Sequence, residues 1–208
     1  MSATVVLATN NAKKLVELRR LVAAAGADLT VLGLGDLPPY PEPAETERTF
    51  VGNALLKARA CVAQTGLPAL ADDSGLAVDI LNGMPGVRSA RWSGPDATDA
   101  SNNALLLAQL DDVADEDRTG HFEAAVALVL PDGRERTTTG RMAGRLLRAP
   151  VGENGFGYDP LFVATGQSVS NGVLDPVEKD RISHRGQAVR AMVPVLVEEL
   201  ADRSAKEA

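Results

Sequence analysis

Leu70-Ala71-Asp72-Asp73-Ser74-Gly75-Leu76 places two adjacent carboxylates, a hydroxyl and a glycine between apolar residues. Such a segment predicts a buried strand. Side chains alternate between the two faces of a strand, so Asp72 and Asp73 would point to opposite sides and could not form one carboxylate pair. We therefore expect one of them to face a cleft and the other to be held structurally. An ordinary strand end with an Asx-type turn is the alternative that this stretch leaves open.

The chain upstream predicts a strand, a polar turn and a helix. Residues 4–8 are continuously apolar, as in a strand buried on both faces, and apolar residues then recur at helical spacing until Gly26, a plausible C-terminal stop. The turn between them would place free backbone N–H groups, with Lys13 and Lys14, at the helix start, which favours an anion. Capping of this helix by Asn10 or Asn11 is the alternative. The sequence contains no P-loop motif.

Helices and strands continue to alternate downstream. Thr49 is a predicted N-cap for a helix over residues 50–64, and Gly66 would end that helix. Ser183 is a predicted cap for the last helix, in which Pro194 predicts a kink or a break. The remaining predicted elements are a strand at residues 29–32, a helix at 99–110, a hairpin of strands 122–130 and 134–139, and short strands at 144–147 and 161–163.

Composition bounds the class of protein. At 208 residues the chain is one largish domain or two lobes with a shared core, and we predict a single domain over residues 1–208. The formal charge of −7 argues against binding to nucleic-acid polymers or anionic membranes, although not against a small phosphorylated ligand. The single cysteine, Cys61, would be a buried apolar residue. Because there is no basic leader or long apolar run, a cytoplasmic location is expected.

Two downstream segments are candidates for ligand contacts. The 152–160 loop holds three glycines, Phe156, Tyr158 and Asp159, and an aromatic ring can stack on a nucleobase. Lys179, His184 and Arg185 gather near the start of the last helix, where an anion or a carbonyl acceptor would be favoured. A mobile surface loop and a solvated charge cluster are the respective alternatives.

Six motifs in this order resemble the inosine triphosphate pyrophosphatase family, and the resemblance spans residues 5–200. The motifs are Thr9-Asn10-Asn11-Ala12-Lys13-Lys14, Thr49-Phe50 with Asn53-Ala54-Leu55-Leu56-Lys57-Ala58, Ala71-Asp72-Asp73-Ser74-Gly75-Leu76, Pro85-Gly86-Val87-Arg88-Ser89-Ala90-Arg91, Gly155-Phe156-Gly157-Tyr158-Asp159-Pro160 and Ser183-His184-Arg185-Gly186-Gln187-Ala188.

The resemblance implies a fold and a reaction. The fold would be α/β, with an elongated mixed sheet flanked by helices in two lobes and an active-site cleft between them. The reaction would convert non-canonical purine nucleoside triphosphates (ITP, dITP and XTP) to the monophosphate and pyrophosphate with Mg²⁺. A homodimer would be the usual state.

The resemblance also implies roles for individual residues. Asp73 would be the catalytic base and a metal ligand, and Lys14 would place its charge on the triphosphate. Ser74 would contact the substrate, Lys179 would reach it, and His184 and Arg185 would read the base edge. The remaining substrate-binding positions would be the turn residues Thr9, Asn10, Asn11, Ala12 and Lys13, and the base-holding residues Phe156, Gly157, Tyr158 and Asp159.

Two departures from the family pattern bear on the metal and the phosphates. Gly52 stands where the family commonly has a glutamate, so the second metal carboxylate is best sought in Glu45, with Glu42 as the fallback. Asn10-Asn11 replaces the common Gly-Asn, so the backbone would approach the phosphate less closely.

Selectivity would follow from hydrogen-bond polarity. Hypoxanthine and xanthine carry a 6-oxo acceptor where adenine has an amino donor, so donors from His184 and Arg185 would favour the former bases. Guanine also carries the 6-oxo group, and the sequence does not show what rejects it. The alternatives are a septum-associated type of nucleotide pyrophosphatase that acts on modified nucleotides, and a non-catalytic nucleotide sensor.

Overall fold

The computed structural model describes residues 3–24 and 29–207, and the predicted stop at Gly26 lies outside them. The strands are β1 (Ala3–Leu7), β2 (Leu29–Gly33), β3 (Ala69–Val78), β4 (Thr119–Val129), β5 (Glu135–Leu146) and β6 (Phe162–Ala164). The helices are α1 (Ala12–Ala24), α2 (Phe50–Thr65), α3 (Asp99–Gln109), α4 (Pro176–Ile182) and α5 (His184–Glu207). Short 3₁₀ turns lie between them.

The strands form one mixed six-stranded sheet in the order β2-β1-β3-β4-β5-β6. β1 is parallel to β2, with Val5 opposite Val31, and parallel to β3, with Leu7 opposite Leu70. β5 is antiparallel to β6, with Arg145 opposite Val163. The predicted α/β class with a mixed sheet is therefore confirmed.

The chain divides into two compact units. The first contains the residues up to Asp73, Ala124–Gly140 and the residues from Arg185 onward, and the second contains Ser74–Glu123 and Arg141–His184. Apolar residues of β1, β4 and α5, such as Leu7, Leu128 and Leu196, form the core of the first unit. Leu76, Leu106 and Phe162 are among the core residues of the second unit. Each unit thus buries an apolar core of its own, and the single domain stays a prediction.

The predicted boundaries of α2 are confirmed. The Thr49 side chain accepts a hydrogen bond from the N–H of Gly52, and Gly66 ends the helix in the left-handed conformation at φ 67°. Cys61, on this helix, is fully buried as expected. None of the described helices is long and apolar enough to cross a membrane.

Three predicted elements differ in the structure. β5 is one continuous strand, where a strand at 134–139 and a second at 144–147 were expected, because Gly144 fits against the Val163 carbonyl instead of ending the pairing. α4 was missed, although Asp175 caps it through the N–H groups of Val177 and Glu178. The break at Pro194 is wrong, because α5 continues through it while its apolar residues fill the first core.

Candidate active site

Asp73 is a buried carboxylate with an amide and an ammonium as partners. Its Oδ2 accepts a hydrogen bond from Asn53 Nδ2 at 3.1 Å, and its Oδ1 lies 3.2 Å from Lys57 Nζ. Burial raises the pKa of Asp73 and the neighbouring Glu45 adds to this, while Lys57, Lys14 and the Asn53 hydrogen bond act in the opposite direction. A carboxyl group with a raised pKa is better suited to accept a proton than an ordinary aspartate.

Asp72 has a different set of partners. Its Oδ2 lies 3.1 Å from Lys14 Nζ and 3.1 Å from Arg185 Nε. Burial alone would raise the pKa of Asp72, but Lys14, Arg185 and Lys57 outweigh it and hold the pKa well below its usual range. Asp72 is therefore a permanently charged partner for two cations, and the predicted difference between the two adjacent aspartates is present in the geometry.

Two residues of the second motif, Lys57 and Asn53, have a role that the sequence does not predict. They lie four residues apart on α2, and both are buried beside Ala54, Ala58 and Cys61 on one face of the helix. A polar pair at i and i+4 on an otherwise apolar face is the signal that could have identified them. Together they fix both oxygens of Asp73.

Glu45 and Asp73 share one cation. Glu45 Oε1 lies 3.1 Å from Lys57 Nζ, the same atom that contacts Asp73 Oδ1. Glu42, the fallback, instead accepts a hydrogen bond from Asn10 Nδ2 at 2.7 Å. In the described part of the chain no three His, Cys, Asp or Glu side chains are grouped to hold a metal. Glu45 and Asp73 carry hard oxygen atoms beside one shared cation, and Mg²⁺ commonly binds one or two such carboxylates together with water and substrate phosphate.

The turn between β1 and α1 is capped by its own side chains. Asn11 Oδ1 accepts from the N–H of Lys14 at 3.2 Å, and Thr9 Oγ1 accepts from the N–H of Asn11 at 3.2 Å. Asn11 therefore caps the helix that begins at Ala12, as the alternative expected. The alternative also implied solvated lysines, and the Lys14 ammonium instead forms an ion pair with Asp72. The side chain of Lys13 lies outside the described part of the structure.

In the second unit, Asp159 organises the loop of residues 156–159. Its Oδ2 accepts from the N–H of Phe156 at 2.9 Å and from Lys179 Nζ at 2.6 Å. The Lys179 ammonium also lies 5.0 Å from the centroid of the Phe156 ring, within the range of a cation–π contact. The structure thus brings together Phe156, Asp159 and Lys179, three of the predicted substrate-binding residues.

The other candidates of the second unit lie near its core. Tyr158 is buried, and its hydroxyl donates to the carbonyl of Ser89 at 2.9 Å. His184 is buried and stacks on Phe122, with ring centroids 4.9 Å apart. Ser74 precedes Gly75, at which a Cβ would collide with the Ser89 side chain and the Gly86 carbonyl. Glycine is therefore required after Ser74 because the backbone around Ser89 approaches so closely.

The chain is similar to known proteins over nearly its whole length. The model of the Ham1 family matches residues 5–195. The chain belongs to the Ham1 family. A protein of Nocardia farcinica named dITP/XTP pyrophosphatase is 57% identical over 203 residues, which cover 97% of this chain and 98% of that protein. A Streptomyces coelicolor protein with the same name is 52% identical over 193 residues, covering 93% of this chain and 96% of its own length.

Solved structures agree with the Ham1 fold. A nucleoside-triphosphatase / dITP/XTP pyrophosphatase from Mycobacterium abscessus is 51% identical with a TM-score of 0.76, covering 92% of this chain and 99% of its own. A Ham1 protein from Coxiella burnetii is 40% identical with a TM-score of 0.86, covering 94% and 99% respectively. The predicted family and fold are therefore confirmed.

Proposed function

We propose that this chain hydrolyses dITP, XTP and ITP to the nucleoside monophosphate and pyrophosphate. The observation that carries the proposal is Asp73, a buried carboxylate held by Asn53, Lys57 and the neighbourhood of Glu45. The chain that carries Asp73 belongs to the Ham1 family, and similar proteins are named dITP/XTP pyrophosphatase. Those names favour purine triphosphates over the modified nucleotides of the septum-associated alternative.

Asp73 would act as the base for the attacking water. The water oxygen forms a bond to the α-phosphorus, the bond from that phosphorus to the pyrophosphate oxygen breaks, and the water proton passes to Asp73. Burial, which raises the pKa of this carboxyl, makes it a stronger proton acceptor. Asn53 would keep the carboxylate oriented, because it binds the oxygen that Lys57 does not.

Positive charge near the phosphates would come from two lysines. Lys14 stands in the first turn of α1, its side chain is 16% exposed, and its ammonium lies 3.1 Å from Asp72 Oδ2. Lys57 is buried between Asp73 and Glu45, and negative neighbours keep its pKa above the usual value although burial opposes them. Lys57 therefore remains charged at neutral pH, and the two lysines together would stabilise the negative charge of a triphosphate.

The residues present fit a magnesium ion. Asp73 and Glu45 would hold it, with the remaining ligands coming from water and substrate. When bound, Mg²⁺ would neutralise phosphate charge and polarise the phosphoryl group. Lys57 contacts both carboxylates and offsets one of their two negative charges, so the pair keeps one negative charge to attract a cation.

The base would be recognised by the 156–159 loop and by two cationic or donor groups. Phe156 offers a ring face, and Lys179 and Asp159 fix the loop beneath it. His184 and Arg185 would donate to the 6-oxo group of hypoxanthine or xanthine. A 6-amino group would leave such donors without an acceptor, which disfavours adenine.

The deciding experiment measures pyrophosphate release with Mg²⁺ from dITP, XTP and ITP, with ATP, GTP and modified pyrimidine nucleotides as comparisons. We expect Asp73→Asn to lower kcat by at least about 10³-fold, because an amide cannot accept the proton and is a weaker metal ligand. Circular dichroism should show a fold unchanged from the wild type. Near-normal turnover by this variant would remove Asp73 from the base role, and a wild type that binds these nucleotides without turnover would be a sensor.

Three further features belong to the same proposal. The active protein would be a single domain over residues 1–208, a homodimer and cytoplasmic, as the resemblance and the composition imply. Light scattering of the purified chain would test the dimer, and limited proteolysis would test whether either compact unit separates from the rest. No contact with nucleic-acid polymers or membranes is expected from a net charge of −7.

A further inference from the structure

The first turns of α3 hold the Gly157 peptide group from both sides. The N–H of Gly157 donates to Asp99 Oδ2 at 2.8 Å, and its carbonyl accepts from Asn103 Nδ2 at 3.0 Å. Gly157 has φ of 62°, and nothing lies within 4 Å of the point where a Cβ would stand. The 156–159 loop is therefore anchored through the two polar groups of one residue, while the Cβ side of that residue is open.

Asn103 is an unusual residue to find in this position. It is 91% buried, and its Oδ1 makes no hydrogen bond with any described residue. The orientation of the amide is fixed, because a flipped side chain would direct Oδ1 at the Gly157 carbonyl. Among the residues that the structure describes, Gly157 is thus the only hydrogen-bond partner of the Asn103 side chain.

A buried acceptor without a partner opposes folding, and an apolar side chain of similar shape would remove this penalty. Native chains retain such groups where a site requires them. The neighbouring Asn102 shows the contrast, since both its amide atoms are used, in bonds to Ser93, Ser89 and Ala90. The hydrogen bonds of Asn102 within the fold account for a polar residue at that position, whereas those of Asn103 do not.

We propose that Asn103, together with Asp99, is a positioning residue that sets the conformation of the 156–159 loop for binding the nucleobase. This proposal rests on the proposed function, in which Phe156 stacks on the base. Holding the backbone on both sides of the Gly157 Cα limits the positions open to the adjacent Phe156 before the nucleotide arrives, which lowers the ordering penalty of binding. The residues touch the loop and not the reacting atoms, so their effect should be on affinity rather than on turnover.

The test is Asn103→Leu, compared with the wild type and with Ala108→Leu, an exposed position on the same helix. We expect the KM for dITP to rise about tenfold, equivalent to about 1.4 kcal/mol of binding, with kcat within about twofold. The urea midpoint should be unchanged or higher, because the unpaired amide oxygen is gone and the half-exposed Gly157 carbonyl can turn to water. Ala108→Leu should retain the wild-type KM.

A ligand without a base provides the second readout. The inhibition constant of inorganic triphosphate should be the same for Asn103→Leu and the wild type, because this ligand has nothing to stack on Phe156. Asp99→Ala should raise the KM for dITP. Asp99→Asn should keep the KM close to the wild-type value, since its amide oxygen can still accept a hydrogen bond from the N–H of Gly157. The Asp99 pair gives an independent decision if Asn103→Leu does not fold.

The proposal is overturned if folded Asn103→Leu keeps the wild-type KM for dITP, or if inorganic triphosphate is weakened to the same degree. It is also overturned if Asp99→Asn behaves as Asp99→Ala. Each of these results leaves the pyrophosphatase activity of the wild type in place. A wild type that neither binds nor hydrolyses these nucleotides would instead remove the proposed function, and this proposal with it.

Discussion

Arg185 is buried, and its Nε contacts the same oxygen of Asp72 that contacts the Lys14 ammonium. A guanidinium held in one orientation presents its other N–H groups in fixed directions, which suits recognition of a carbonyl acceptor. The role in base reading that we propose for Arg185 therefore depends on Asp72 as well.

Arg185→Ala is predicted to reduce the preference for ITP over ATP. We expect the ratio of the two kcat/KM values to fall at least about tenfold, because a lost donor no longer discriminates between an oxo and an amino group. Both substrates should be measured with the same enzyme preparation. A smaller folded fraction of the variant then lowers both kcat/KM values equally and leaves their ratio unchanged. An unchanged ratio would exclude Arg185 from base reading, whatever happens to the absolute rates.

At single positions, the sequence predicts most where a local rule applies. Strand alternation alone separates Asp72 from Asp73, and the structure gives them different partners. The partners themselves come from distant positions, as with Asn53 and Lys57 on α2. No local pattern states which buried helix face will meet which strand, so these contacts required the structure.

Among the elements, the connection from α3 into β4 is fixed by one buried cation. Arg118 is 2% exposed and donates to three carbonyls, those of Leu110, Leu146 and Leu147. It thereby satisfies carbonyl groups at the end of α3 and at the end of β5. The acidic composition of residues 111–118 predicts a solvated linker, and this residue is the exception.

Arg118→Met is predicted to lower the free energy of unfolding by about 3 kcal/mol, since three hydrogen bonds from a charged donor are lost and two of the acceptors, Leu110 and Leu146, are buried residues. For a chain of this size the melting temperature should fall by about 6–12 °C. Arg148→Met is the matched control. Arg148 is more than half exposed and pairs with Asp115, so its loss should change stability by less than about 0.5 kcal/mol. Equal effects of the two substitutions would contradict the structural role of Arg118.

Element boundaries were predictable where caps are local and not where tertiary contacts decide. Thr49 and Gly66 mark the ends of α2 by their own chemistry. Gly144 and Pro194 resemble interruptions in the sequence, yet β5 and α5 continue through them because pairing and core packing outweigh local preference. The mixed sheet was predicted from the resemblance that the ordered motifs carry. The order of its strands is known only from the structure.

For the whole molecule, folding should be independent of the metal that the proposed activity needs. Each unit has an apolar core of its own, including Leu128 and Leu196 in the first and Leu76 and Phe162 in the second. The two carboxylates that would hold Mg²⁺ already share the Lys57 ammonium, so their mutual repulsion is relieved without an ion.

Removal of divalent ions with EDTA is therefore predicted to abolish pyrophosphate release while leaving the melting temperature within about 2 °C of the untreated value. Addition of excess Mg²⁺ should restore the activity without a refolding step. A chain that unfolds on chelation would show that the metal belongs to the fold, and persistent turnover in EDTA would show that the lysines suffice.

The Lys57→Met variant, treated with EDTA and Mg²⁺ in the same way, separates the contribution of the Lys57 ammonium from that of the metal. Without the ammonium, Glu45 and Asp73 repel each other across a partly buried site, so Mg²⁺ should raise the melting temperature of this variant more than that of the wild type.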